Sequence, residues 1–208
     1  AREMQPESGG YLEAAPLTAF VAVDLISAGS AGDSIVGNAI RFLEESVRSD
    51  GSWPIDVNLA TWVTTLSVNA LEPDAMPDAT RDHILQWLLS QQVSKEHPFT
   101  HAMPGGWAWT DHSEGVPDAD DTSGALIALW KLAGPRTIDA AVSGINWLLA
   151  LQNSDGGIPT FCRGWGALPF DRSAPDLTAH TLEAWSVWYN ALPADLQRKV
   201  STAAGRAI

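Results

Sequence analysis

The chain has 208 residues, 45% hydrophobic and 18% charged, with a net charge of −13. That is the profile of a globular domain with a sizeable core, and it excludes a disordered chain. The acidity excludes nucleic acid as a partner, since no basic patch offsets it, and gives no pull toward anionic lipid.

Four turns organise the rest: Gly9-Gly10-Tyr11, Gly51-Ser52-Trp53, Gly105-Gly106-Trp107 and Gly156-Gly157-Ile158. In chain order, the first is followed by an apolar helical stretch over 17–26. An amphipathic helix around Ile40-Arg41-Phe42-Leu43 leads to the second turn, and a stretch over 59–71 follows it. A helix around Leu85-Gln86-Trp87-Leu88 leads to the third, and 121–132 follows. A helix around Ile145-Asn146-Trp147-Leu148 leads to the fourth, 177–188 follows, and another outer helix starts near Ala194. Gln91 and Gln152 follow the second and third of these leading helices and are read as equivalent, at equal offset. The unit is helix, glycine turn, helix, with a period of roughly 40 to 55 residues, in the range of helical repeats. No strand alternation intervenes.

The helices after the turns are apolar on most faces and read as an inner layer. Those before the turns are amphipathic and read as an outer layer. The expected fold is all-α, an α/α toroid. Residues 1–208 form one partial barrel domain, because a closed toroid needs about six helix pairs and this chain supplies close to four. Glutamine and glycine–tryptophan turns are expected to staple one outer helix to the next.

The chemistry-bearing stretch is Asp118-Ala119-Asp120-Asp121-Thr122, after Pro117. Like charges this close cannot all ionise cheaply, so at least one carboxyl keeps its proton if shielded from water. The bland alternative is a helix N-cap with acids answering the helix dipole. Aligning the inner helices on threonine puts Trp62, Asp120 and Asp176 at one height, with His180 one turn after Asp176 on the same face. A cap alone predicts no such clustering. For His180, Trp62, Trp107 and Trp109 taken singly, core packing is the competing reading.

These residues resemble the squalene–hopene cyclase family of class II terpene cyclases over nearly the whole chain. The acid motif matches Asp118, Asp120, Asp121 and Thr122. A Phe-Cys element matches Phe161-Cys162. An Asp-x-Thr-Ala-His element matches Asp176 through His180. The resemblance implies that Asp120 is the catalytic proton donor, flanked by Asp118 and Asp121. It implies that His180 hydrogen-bonds and sharpens the acid, with Asp176 beside it, and that Cys162 belongs to the reprotonation network. It implies that Trp62 and Trp109, with Trp107 nearby, line the cavity and stabilise cations. In this reading a protonated His180 steadies two ionised carboxylates while Asp120 keeps its proton. The implied substrate is a linear isoprenoid, most simply squalene going to a hopene-type polycycle, with no cofactor and no metal. Two positions depart from the pattern: the fourth turn ends in Ile158 instead of tryptophan, and Val63 stands where the family often has aspartate.

A class II cyclase acting on a prenyl diphosphate and a non-catalytic toroid that binds lipid or protein remain alternatives. A zinc-dependent prenyltransferase subunit needs Asp-x-Cys at an inner-helix start, and Asp118-x-Asp120 stands there. The lone cysteine, Cys162, suits a reducing compartment. The expectation is therefore a cytoplasmic protein, peripheral on the inner membrane at full length. The chain begins at Ala1, which leaves an N-terminal targeting segment open, and residues 1–208 alone are expected not to turn over squalene.

Overall fold

The computed structural model describes residues 2–72, 75–98, 100–112, 115–162 and 171–208. Among them the fold is all-α, with isolated bridges in place of strands. The helices are α1 (Ala15–Ser27), α2 (Ser34–Glu45), α3 (Ala60–Ala70), α4 (Asp78–Ser90), α5 (Ala119–Ala133), α6 (Ile138–Leu151), α7 (Pro175–Trp188) and α8 (Ala194–Ala207). The inner stretches expected at 59–71, 121–132 and 177–188 are α3, α5 and α7.

Two compact units result: Ala1–Leu59 with His112–Gly115, and Ala60–Asp111 with Val116–Ile208. In the first, α1 packs on α2. The buried face of α1 is small (Ala15, Thr18, Ala22), and Leu17, Phe20, Val23 and Ile26 stay exposed. Asp33 caps α2 by accepting from the Ile35 amide.

In the second unit α5 is central. α3 and α7 pack on it, α4 and α6 pack behind it, and α8 packs on α6 and α7. This is the double-layer arrangement expected of the repeat. The core lies around α5, with Leu126, Leu129, Ile145, Leu148, Trp185 and Trp188 fully buried. Removing such a side chain would leave a cavity costing roughly 2–5 kcal/mol.

The staples have a regular form. Gln5 donates to the carbonyls of Gly9 and Ile35, Gln92 to those of Gly105 and Ala140, and Gln152 to those of Gly156 and Ala203. Each amide therefore ties its own turn to a later outer helix. Gly9, Gly105 and Gly156 have φ of 89°, 119° and 90°, and a Cβ on them would strike the carbonyls of Asn38, Ser143 and Arg206. Only glycine meets both demands. A second staple runs inward: the amides of Tyr11, Trp107 and Ile158 donate to the hydroxyls of Thr18, Thr122 and Thr178.

The glutamine of the third turn is thus Gln92, not Gln91. Gln92 stands five residues after Trp87, as Gln152 does after Trp147, whereas Gln91 bonds back to its own helix at Trp87. In the second turn the same offset from Phe42 falls on Val47, which has no side-chain amide to give, and a Cβ on Gly51 would meet no neighbour within 4 Å. Besides its local backbone bonds, that turn has the indole bond from Trp53 to the Leu43 carbonyl, at 2.7 Å.

Candidate active site

The aspartate motif sits where α5 begins. Asp118 is extended and caps the helix, its Oδ1 accepting from the Asp121 amide at 2.9 Å. Its own backbone bridges Trp107 on one side and Phe161 on the other, and Ala119 donates to the Thr160 carbonyl at 3.0 Å. The third and fourth turns therefore clamp the start of α5. From Ala119 to Leu129 every residue is buried except Asp120.

That single exception is the centre of the site. The Asp120 side chain is 42% exposed, while Asp118 and Asp121 are each 4% exposed. Both oxygens of Asp120 are engaged. Oδ1 lies 2.7 Å from Nδ1 of His180 on α7, and Oδ2 lies 3.3 Å from Nε1 of Trp62 on α3. Trp62 is placed by Trp109, whose carbonyl takes the free N-terminal amides of α3 from Thr61 and Trp62 at 3.0 and 3.2 Å. The Trp109 ring meets Phe161 edge to face, with centroids 6.1 Å apart.

Burial sorts the three acids. Loss of solvent, then the neighbouring Asp121 charge, pushes the Asp118 carboxyl well above the ordinary range. Burial also pushes Asp121 up to about 7. The His180 hydrogen bond pulls Asp120 below its ordinary value, and the Trp62 bond pulls the same way. The sequence expectation is corrected in one respect. The protons held by burial belong to Asp118 and Asp121, and Asp120 is the strongest acid of the three. The reason is geometric: the turns cover the flanking acids, and α3 and α7 present hydrogen-bond donors to the middle one.

The other expected residues are scattered. Trp107 is fully buried, donates its indole N–H to the Leu88 carbonyl and lies against Gly144. It is a staple in the core and lines no solvent-facing wall. Trp109 is half-buried, with its Nε1 buried and unpartnered among the described residues. Asp176 is exposed at the start of α7, and no hydrogen bond among the described residues joins it to the cluster. Cys162 is buried and lines a recess of about 510 Å³ with Met103, Trp147 and Leu151. Sequence reasoning gave Phe161 no role of its own. Its position opposite Asp118 was signalled only by adjacency to the cysteine. Val63, the departure from the family pattern, is exposed on α3 beside Trp62.

No described helix is long and apolar enough to cross a membrane. Residues 57–188 match the squalene–hopene cyclase C-terminal domain family. The squalene–hopene cyclase of Alicyclobacillus acidocaldarius is 30% identical over 165 residues, covering 65% of this chain and 25% of that protein. Sporulenol synthase of Bacillus subtilis is 27% identical over 164 residues, covering 74% of this chain and 26% of that protein. Drimenyl diphosphate synthase of Streptantibioticus cattleyicolor is 29% identical over 140 residues, covering 65% and 25%. The chain thus spans about a quarter of the length of these relatives.

Proposed function

We propose, from the premise that this chain belongs to the squalene–hopene cyclase family, that it carries the acid wall of a class II terpene cyclase. The reaction is cyclisation of a linear isoprenoid started by protonation of a terminal alkene, and squalene to a hopene-type polycycle is the assignment. The observation that carries this reading is the isolation of Asp120: one half-exposed carboxyl, with donors near both oxygens, on an otherwise buried helix start.

Alkenes are feeble bases, so the donor must be a strong acid and must reach the substrate. Asp120 meets both needs, and its buried neighbours meet neither. In the working state Nδ1–H of His180 donates to Oδ1, and Asp120 carries its transferable proton. The O–H bond breaks, a C–H bond forms at the terminal alkene carbon, and the π pair is consumed, leaving a tertiary cation. Asp120 is left as a carboxylate accepting from the His180 and Trp62 ring N–H groups, which lowers the cost of the charge it acquires. The next double bond attacks the cation, and each closure moves the charge along the chain. Loss of a proton ends the sequence, so one proton enters and one leaves. Burial raises the pKa of both Asp118 and Asp121, which reduces the negative charge competing for the cation. Trp109 and Phe161, packed edge to face on each other, supply the aromatic faces that stabilise a cation.

The similarity to a drimenyl diphosphate synthase keeps a prenyl diphosphate as the second substrate. The test supplies squalene and farnesyl diphosphate separately to the cyclase carrying this chain, with products identified by gas chromatography. Cyclic product from squalene, lost in Asp120→Asn, supports the assignment. Product from the diphosphate alone moves it to the second substrate. Unchanged yield in Asp120→Asn removes Asp120 from the role.

A further inference from the structure

We propose that Trp62 is a positioning residue for the acid: its indole N–H holds Oδ2 of Asp120 opposite the imidazole on Oδ1. There it orients the carboxyl group and stabilises the carboxylate left when the proton departs. This deepens the reading of Asp120 as proton donor and rests on it. The family resemblance gives Trp62 a place in a cavity wall. The geometry gives its nitrogen a separate task.

Three observations converge. The indole nitrogen lies 3.3 Å from Oδ2. The backbone that carries it is fixed, because the Trp109 carbonyl holds the Thr61 and Trp62 amides at the start of α3. Thr65, on the next turn of α3, faces Gly124, one turn after Asp120 on α5, so the two helices meet in close register there. At 3.3 Å the bond to Oδ2 is long. A donor aimed at an oxygen that is about to gain charge contributes more to the charged state than to the neutral one, because charge-assisted bonds are shorter and stronger. Only such differential interactions speed the chemical step. Phenylalanine would fill the same space and offer the same ring face without the N–H.

Among the described residues, the titratable groups around Asp120 are few. α3 contributes no titratable side chain. α7 contributes His180, with Asp176 and Glu183 on adjacent turns, and α5 contributes Asp118 and Asp121. A pH response of the Trp62 indole therefore reports on a small, named set, and the Asp120→Asn variant isolates one member.

The experiment uses ¹⁵N-labelled chain and follows the Trp62 indole proton resonance, assigned through its backbone. That resonance is expected to move with pH in the wild type and to lose the movement in Asp120→Asn. In Trp62→Phe the carboxyl ¹³C midpoint of Asp120 is expected to rise by on the order of half a unit to one unit. In the cyclising protein, activity needs protonated Asp120 and falls as pH rises through its pKa. Trp62→Phe should therefore shift that falling limb to higher pH by the same amount, with a lower plateau. Trp62→Leu should lower the plateau further without moving the limb again. A Trp62 resonance indifferent to Asp120→Asn overturns the proposal, as does an unmoved Asp120 midpoint in Trp62→Phe. The wild type against Asp120→Asn comparison needs no change at Trp62, so it decides even where a Trp62 variant does not fold. The resonance readout needs no turnover, so it stays separate from failure of the cyclase assignment.

Discussion

The third and fourth repeats are built alike and do different things. Each has a glutamine tied to two carbonyls, a left-handed glycine pressed on an outer helix, and a turn amide bonded to an inner-helix threonine. Each places an aspartate two residues before that threonine, Asp120 in α5 and Asp176 in α7. Asp120 has an imidazole and an indole on its oxygens, whereas Asp176 is exposed at the start of its helix. The scaffold sets the height of a residue, and the helices on either side set its chemistry. α5 has both α3 and α7 against it.

The sharpest way to break that comparison is to make the same substitution twice. Asp120→Asn is expected to cut cyclisation by at least the factor of about a hundred to ten thousand typical of one general acid, with the melting temperature unchanged. Asp176→Asn is expected to cost a few-fold at most, because its side chain does not carry the transferred proton. Product yield on squalene, read beside thermal unfolding, decides. Equal losses would mean that position in the repeat matters more than its neighbours.

The next effect concerns stability. Asp121 has a folded-state pKa of about 7, above the ordinary unfolded value of about 4. The folded state thus binds this proton more tightly. Its contribution is fully present below about pH 4 and is lost as pH rises toward 7 and beyond. Asp121→Asn should therefore stabilise the fold at pH 8 by on the order of a few kcal/mol, seen as a higher melting temperature, and change it little at pH 4. A variant that is less stable at pH 8 would show that burial does not raise this carboxyl above its ordinary range.

Smaller effects test the shared scaffold. Gln92→Ala and Gln152→Ala each remove an amide from two carbonyls, and each should cost roughly 1–3 kcal/mol in denaturant unfolding. Gln91→Ala should stay within about 0.5 kcal/mol, because its half-buried amide bonds only within its own helix. A larger loss at Gln91 than at Gln92 would reverse the assignment of the staple.

Much of this was legible in the sequence because the repeat advertises itself. Glycines before large side chains marked every turn, as a pair in three of the four, and threonine alignment put Trp62 and Asp120 at one height. The staple was misassigned by one residue because two glutamines stand together, and only the offset from Trp87 separates Gln91 from Gln92. The protonation pattern was not legible. It depends on which carboxyl the Trp107 and Phe161 segments cover, and spacing along the chain carries no record of that. The burial of Trp107 was likewise hidden, since tryptophan serves equally as a core staple and as a cavity wall.

The apolar rows left open on α1 (Leu17, Phe20, Val23 and Ile26) and on α3 (Trp62, Val63 and Leu66) have a colloidal consequence. Contiguous exposed side chains of this kind favour self-association. The net charge of −13 opposes it by mutual repulsion between molecules. That repulsion fades as the screening length shrinks to about 3 Å at 1 M salt. The purified chain should therefore stay dispersed at low ionic strength and cloud as sodium chloride is raised, with light scattering as the readout. Phe20→Glu should move the clouding point to higher salt.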